Sequence, residues 1–404
     1  MNEAPLTGVT ILDLSRVLSG PYCTMLAADM GARVIKIEHP RGGDDTRAWG
    51  PPFLAGESAY YLSINRNKES VALDFKTPDG RALLGRLVEK ADVIVENFRP
   101  GTLDKLGLGY SQLAERFPRL IYVSISGFGQ NGPRRSEAGY DAIAQAEGGL
   151  MSITGVPEGP PVRLGVAVAD IVSGMFAFQG LLLALLSRAR TNHGQLVDVS
   201  LLDSVAALLT YQASRHFATG EVPTRTGNRH MTIAPYDTYE TADGVIVLAA
   251  GNDAQWQRLC AALNLDALRT DARYQTNAGR VTHYEALRPA LSAVLRTRTI
   301  GPLVESLRRE GVPCGGVRSI PEALSDPQIA AREMVQTLTH PLAGPVRVLG
   351  IPTKLSHTPG AVRTPPPVLG EHTVAVLESD LGLSRMEIDR LATAGAIGRS
   401  AAAD

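Results

Sequence analysis

The chain has 404 residues, 44% of them hydrophobic and 20% charged, with 40 basic residues against 41 acidic ones. That length exceeds one simple core and predicts two domains. The balanced charge leaves no global field for nucleic acid or an anionic membrane, so a polyanionic ligand must be met by local basic groups.

The opening MNEAPLTG has no basic segment followed by an apolar stretch, so no signal peptide is expected. Residues 9–14 (VTILDL) read as a buried strand, followed by a helical segment from near Gly20 and Pro21. Residues 34–38, 93–96 and 120–125 read as three further strands, with helical stretches such as 80–90 between them. This alternation is the signature of a parallel, doubly wound sheet. Asp170 opens a long apolar helix ending near Arg188. Its uncharged run, 171–187, is broken by Ser173, Gly174, Gln179 and Gly180. It falls short of the ~20 apolar residues that span a bilayer, so it reads as a buried helix.

Residues 217–229 show no periodicity and read as an extended linker. Beyond them, residues 236–239 and 245–248 flank the turn Ala242-Asp243-Gly244 and predict a hairpin. Helical patterns at 254–263, 284–295 and 302–309 complete a small α+β domain. The tail carries a proline-rich stretch, 364–367, and a last helix at 385–394. The expected organisation is a large α/β domain (1–204), a linker (205–232), the small domain (233–324), a second linker (325–345) and a return to the large domain (346–404).

Several chemistries lack their residues. The motif Gly127-Phe128-Gly129-Gln130-Asn131-Gly132 matches a dinucleotide fingerprint, but Pro133-Arg134-Arg135 follows where an apolar helix should open. The eight histidines form no metal-ligand pair at helical spacing, and G-x-S-x-G is absent. The three cysteines, Cys23, Cys260 and Cys314, include no C-x-x-C pair, which argues against a disulfide framework or zinc site and fits a reducing cytosol. Cys314 in GVPCGGV reads as a small buried residue.

Asp170 is the only charge between Arg163 and Arg188. Its plain reading is a helix N-cap. The same position suits a nucleophilic carboxylate, kept anionic by the helix dipole while water is scarce. Basic residues gather near glycine-rich turns: Arg41, Arg47, Arg66, Lys68, Lys76, Arg99 and Lys105. They read either as a solvated face or as a site for a pyrophosphate and a ribose phosphate.

Together, LDLSRVLSGP, MGARVIKIEHPRGGDDTR, NRNKESVALDFKTPDG, VENFRPGTLDKLG, SGFGQNGP, GYDAIAQAEGG, VADIVSGMFA, GQLVDVSLLD and PVLGEHT resemble the class III CoA-transferases, from about Leu6 to the end of the chain. That family includes formyl-CoA, carnitine and dicarboxylate CoA-transferases and α-methylacyl-CoA racemase. The resemblance implies a Rossmann-like large domain, a ring-shaped subunit and an interlocked cytoplasmic homodimer with no metal. Asp170 would be the nucleophile, carrying anhydride and aspartyl-CoA thioester intermediates. CoA contacts are implied at Leu18, Ser19, His39, Leu73 through Lys76, Asn97, Phe98, Arg99, Lys105, Gly139 and Tyr140, with Tyr60, Tyr140 and Gln145 lining the reaction pocket. His39 stands where some members carry arginine, and Leu18 replaces a glutamine of formyl-CoA transferase, which argues against oxalate and formate chemistry. Tyr140 stands where the racemases carry histidine, removing their second base. The resemblance therefore implies a CoA-transferase, with succinyl-CoA as its candidate donor, over a racemase or a CoA-binding module without activity.

Overall fold

A computed structural model describes residues 3–400. Six parallel strands carry the site: β1 (Thr10–Asp13), β2 (Arg33–Glu38), β3 (Lys68–Ala72), β4 (Val93–Glu96), β5 (Ile121–Ser126) and β6 (Leu196–Ser200). They lie in the order β3-β2-β1-β4-β5-β6, that of doubly wound dinucleotide-binding sheets. The four strands expected from the sequence are present.

Strand periodicity divides the core. Leu12, Ile35, Ile37 and Val71 face one way, towards α3 (Pro78–Val88) and the C-terminal helices Thr373–Leu381 and Arg385–Thr393. Ile11, Val34, Val93 and Val123 face the other, towards α1 (Ser19–Asp29) and the long helix α6 (Val168–Thr191). The remaining helices of the site are α2 (Ala59–Ile64), α4 (Tyr110–Arg116) and α5 (Asp141–Glu147).

β3 was not legible as a strand because it opens Lys68-Glu69-Ser70. Burial of Lys68 explains it: the ammonium donates to Asp13 Oδ2 (3.1 Å), Pro21 O (2.9 Å) and Asn65 Oδ1 (2.9 Å). Asp13 also accepts from Thr24 Oγ1 at 2.6 Å. Burial opposes its ionisation, but Lys68 and Lys36 outweigh it and hold the carboxyl down at about 2. The returning C-terminus protects the outer edge of β3: Ser70 N donates to His372 Nδ1 (3.2 Å) and Ala72 N to Thr373 Oγ1 (3.0 Å).

Helix α6 departs from the expected buried helix. Ala169, Ser173, Gly174, Ala177, Leu181 and Ala184 form its buried inner face, whereas Met175 (50%), Leu183 (64%) and Leu186 (58%) are exposed on the outer one. By length and composition alone the helix could cross a membrane, but a third of its apolar window is buried within the protein.

The chain divides into two compact units, 1–150 with 163–213 and 327–404, and 151–162 with 214–326. The second unit holds a three-stranded antiparallel sheet in the order Cys314–Gly316, Val245–Ala249, Tyr236–Glu240, which includes the expected hairpin. Its core is built around Trp256, Leu259, Leu287 and Leu291. The stretches read as linkers carry structure. Residues 205–219 are largely helical, and residues 335–349 form an antiparallel hairpin whose Val346 and Val348 bury against Leu62.

Replacing Lys68 by Met should leave the Asp13 carboxylate buried with one cation fewer and cost roughly 3 kcal/mol in urea denaturation. Asp13 is depressed from 3.8 to about 2, so it stabilises the fold above the unfolded value and loses that contribution as pH falls through the folded one. The gap between wild type and variant should therefore narrow below pH 3.8.

Candidate active site

The strand order reverses between β1 and β4, so the loops leaving their C-terminal ends diverge and open a crevice. That crevice is a cleft of about 620 Å³, walled by the loops after β1, β2, β3, β4 and β5 and reaching Asp170 on α6. No dinucleotide fingerprint follows β1. The later one, Gly127–Gly132, serves a packing role instead. A Cβ on Gly127 would lie 2.6 Å from Gly139 Cα, so these glycines let two backbone segments touch at the cleft wall. The next helix does not begin until Asp141.

The basic residues fall into two sets. Arg47 pairs with Glu38 (2.7 Å), Arg66 with Asp29 (2.6 Å) and Lys68 with Asp13, all in the interior. The structure therefore removes these three from the ligand-binding candidates. Arg41, Lys76 and Arg99 line the cleft, are exposed, and form no ion pair among the described residues. Between them stand Phe75 and Phe98, edge to face with ring centres 6.3 Å apart. His39 lies on the same wall, its Nε2 3.5 Å from Asp74 Oδ2, while Asp74 Oδ1 accepts from Lys76 N at 3.0 Å. The cleft thus has cations for phosphates and flat apolar surfaces for a base.

Asp170 sits in the first turn of α6, but it is not the cap. Ala167 is the N-cap residue, and the side chain that takes a free backbone donor of this turn is Asp141, whose Oδ1 accepts from Ala169 N at 2.8 Å. Asp141 Oδ2 accepts from Gln145 Nε2 (2.8 Å), and Gln145 Oε1 accepts from Leu164 N (2.9 Å), tying α5 to the approach of α6. Asp170 itself has no hydrogen-bond partner among the described residues. Burial, and secondarily the charge of Asp141, push its carboxyl up to about 7. Asp141 was not singled out in the sequence; its place at the head of the helix Asp141–Glu147 carried no signal that it would reach the start of another helix.

The other expected residues are distributed unevenly. Ser19, Leu73, Asn97, Phe98, Gly139 and Tyr140 line the cleft, Tyr140 at its mouth with 65% exposure. Leu18 and Tyr60 lie behind the wall in a small apolar cluster with Ile64, Ala167 and Ile171. Burial first, then the charges of Asp170, Asp141 and Asp44, lift the Tyr60 phenol to about 12, and its ring meets Trp49 edge-on at 5.2 Å. Gln145 is fully buried, and Lys105 is exposed on a turn off the cleft wall.

Residues 6–373 match the family model for CoA-transferase family III. The chain belongs to CoA-transferase family III. It is 44% identical over 381 residues to the succinate–glutarate CoA-transferase of Agrobacterium fabrum, covering 93% of this chain and 95% of that one. It is 42% identical to the succinyl-CoA:glutarate CoA-transferase of Mus musculus over 97% of this chain and 90% of that one. Among solved structures, a CaiB/BaiF family protein from Brucella suis superposes with a TM-score of 0.85 at 40% identity, covering 94% of this chain and 100% of that one. This transferase exchanges CoA between an acyl-CoA and a carboxylate. A thioester substrate of that kind brings phosphates and an adenine, the groups for which the cleft has cations and aromatic edges.

If the ionised carboxylate of Asp170 is the reacting form, its elevation predicts an acid limb in kcat/KM centred near pH 7. Asp141→Asn should move that limb to lower pH, by roughly half a unit to one unit, since it removes a like charge. A pH–rate series on both proteins measures the shift; an unmoved limb would show that Asp141 does not govern the ionisation.

Proposed function

We propose that the enzyme moves CoA from succinyl-CoA to a dicarboxylic acid such as glutarate, with the Asp170 carboxylate as covalent nucleophile. The observation that carries this reading is a carboxylate placed in the cleft without a hydrogen bond to occupy its lone pairs. The two relatives named above, both named for succinate or succinyl-CoA and glutarate, support the choice of acids.

The steps balance without an outside reagent. Asp170 Oδ attacks the thioester carbonyl, the C–S bond breaks, and CoA thiolate leaves a mixed anhydride. The thiolate attacks the aspartyl carbonyl, which frees the donor acid and forms an aspartyl-CoA thioester. An acceptor carboxylate then attacks that carbonyl and expels the thiolate. The thiolate opens the second anhydride at the acceptor's carbonyl, giving the new acyl-CoA and restoring the Asp170 carboxylate. One thioester replaces another, so the overall exchange is close to thermoneutral.

Water is the competing nucleophile, and the apolar cluster of Leu18, Tyr60, Ala167 and Ile171 beside Asp170 supports a dry pocket. Backbone N–H groups supply the remaining need, stabilisation of each oxyanion. The first turn of α1 has no side-chain cap, and its Ser19 lines the cleft. A Cβ on Gly174 would lie 2.6 Å from Ser19 O, so this glycine is what lets α1 approach α6 just past Asp170.

Asp170→Asn should lower exchange at least a thousandfold while the melting temperature changes little, because the variant loses a nucleophile and no cap. Intact-protein mass spectrometry of wild type with succinyl-CoA should show a species heavier by CoA less one water. Half of wild-type turnover in the variant would refute the covalent role. In deuterated water a 2-methylacyl-CoA should keep its α-proton; deuterium uptake without acyl exchange would establish a racemase instead.

For the assembly, we propose a cytoplasmic homodimer, interlocked as the family resemblance implies. The exposed outer face of α6, with Met175, Phe176, Leu182, Leu183 and Leu186, supports a second copy as its cover. Buried or half-buried free cysteines suit a reducing compartment. Light scattering should give twice the chain mass, and Leu183→Arg should yield monomer or aggregate; an unchanged dimer in that variant would move the interface elsewhere.

A further inference from the structure

Glu96 ends β4 with 5% exposure and no ion pair among the described residues. Burial holds its carboxyl up at about 7, so at neutral pH the fold carries a group on the edge of ionisation without a cation to offset it. A core with no further task for this position would fill it with an apolar side chain. What Glu96 does is accept two hydrogen bonds from different parts of the cleft wall. Oε2 takes Phe98 N at 2.8 Å, and Oε1 takes the hydroxyl of the buried Ser124 on β5.

Both bonds extend outward. Ser124 Oγ accepts from Gln130 Nε2 at 2.7 Å, and Gln130 N donates to Asp198 Oδ2 at 3.1 Å, which fastens the glycine-rich loop after β5. On the other side, Phe98 belongs to the loop whose Asn97 clamps Arg16: Asn97 Oδ1 accepts from Arg16 N (2.8 Å) and Asn97 Nδ2 donates to Arg16 O (2.6 Å). The next residue, Val17, is held at a φ of 67°, a costly conformation for a β-branched side chain, and its N–H donates to Asp44 Oδ1 at 3.2 Å. One carboxyl group therefore joins two segments of the cleft wall, 97–100 directly and 126–130 through Ser124 and Gln130, and Asn97 carries the first of them on to 15–19.

We infer that Glu96 is a positioning residue for CoA: by bridging Phe98 N and Ser124 it fixes the 97–100 loop against the glycine-rich loop and so preforms the walls that receive the nucleotide. This rests on the reading of the cleft as the CoA site. Glu96 touches no substrate and takes no part in bond making.

The test is a double-mutant cycle on Glu96→Gln and Ser124→Ala, read as the CoA dissociation constant by titration calorimetry and as KM and kcat for succinyl-CoA. Each single variant should weaken CoA about tenfold, as expected for loss of one buried hydrogen bond to a charged group. KM should rise in step, with a smaller fall in kcat at saturating donor. The double variant should bind about as well as the weaker single one, because both changes break the same bridge. Gln130→Ala, a partly buried loop change, gives the same reading if Glu96→Gln does not fold. Wild-type CoA affinity in Glu96→Gln, or strictly additive losses in the double variant, would overturn the inference. Failure of wild type to bind CoA at all would instead remove the reading of the cleft, and the two failures are separate results.

Discussion

A half-buried carboxylate with no hydrogen-bond donor among the described residues is the constraint around which this site is arranged. At the start of a helix, backbone N–H groups compete for any nearby carboxylate, and a side chain that accepts them becomes a stable, unreactive anion. Here Asp141 takes the Ala169 N–H, so Asp170, one residue further on, keeps its lone pairs. Burial and the adjacent like charge then lift Asp170 to about 7. A free donor of the helix start is thus satisfied from another element, and the cleft has a carboxylate of raised basicity. One residue could not have served both ends, because a hydrogen bond that stabilises the anion lowers its nucleophilicity.

The cations obey a related rule. Those facing a carboxylate in the interior, Arg47, Arg66 and Lys68, fix the sheet and its flanking helices; those on the loops, Arg41, Lys76 and Arg99, form no ion pair among the described residues. A chain with no net positive charge can therefore still present cations to a ligand in its groove, since the sorting of partners leaves Arg41, Lys76 and Arg99 outside the ion pairs. The buried pairs also support the wall from beneath. Asp13, Lys36 and Asp44 lie under the loops after β1 and β2, with Lys36 Nζ 2.9 Å from Ser15 O.

Four strands and the helices between them were legible because each buries both faces and reads as an apolar run. β3 was hidden because Lys68 and Ser70 are interior residues satisfied by distant partners, which no local pattern records. Helix α6 was misjudged in the opposite direction: an apolar run predicts burial, but its outer half faces solvent in the single chain. Asp170 was found through its isolation in an apolar segment and through its motif. Its cap was not found, since Asp141 lies 28 residues upstream of Ala169 and meets it only through the tertiary fold. Lys105 and Gln145 were reached only through their motifs: Lys105 stands exposed outside the cleft lining and Gln145 is buried, so the roles the resemblance implies for them rest on the motif alone.

The strand order is one that many enzymes use for dinucleotides, so it narrows the ligand very little. What separates this protein from them is the first loop. Where a nicotinamide enzyme would present glycines to a pyrophosphate, this chain places Val17 in a strained conformation between Asp44 and the Asn97-clamped Arg16, and follows it with the apolar Leu18. The helix after that loop then runs against α6 at Gly174, one turn beyond Asp170. A phosphate-binding turn at the same place would bring solvent and counter-charge to the carboxylate. The tight, uncharged contact brings neither, which is the environment that the proposed anhydride on Asp170 would require.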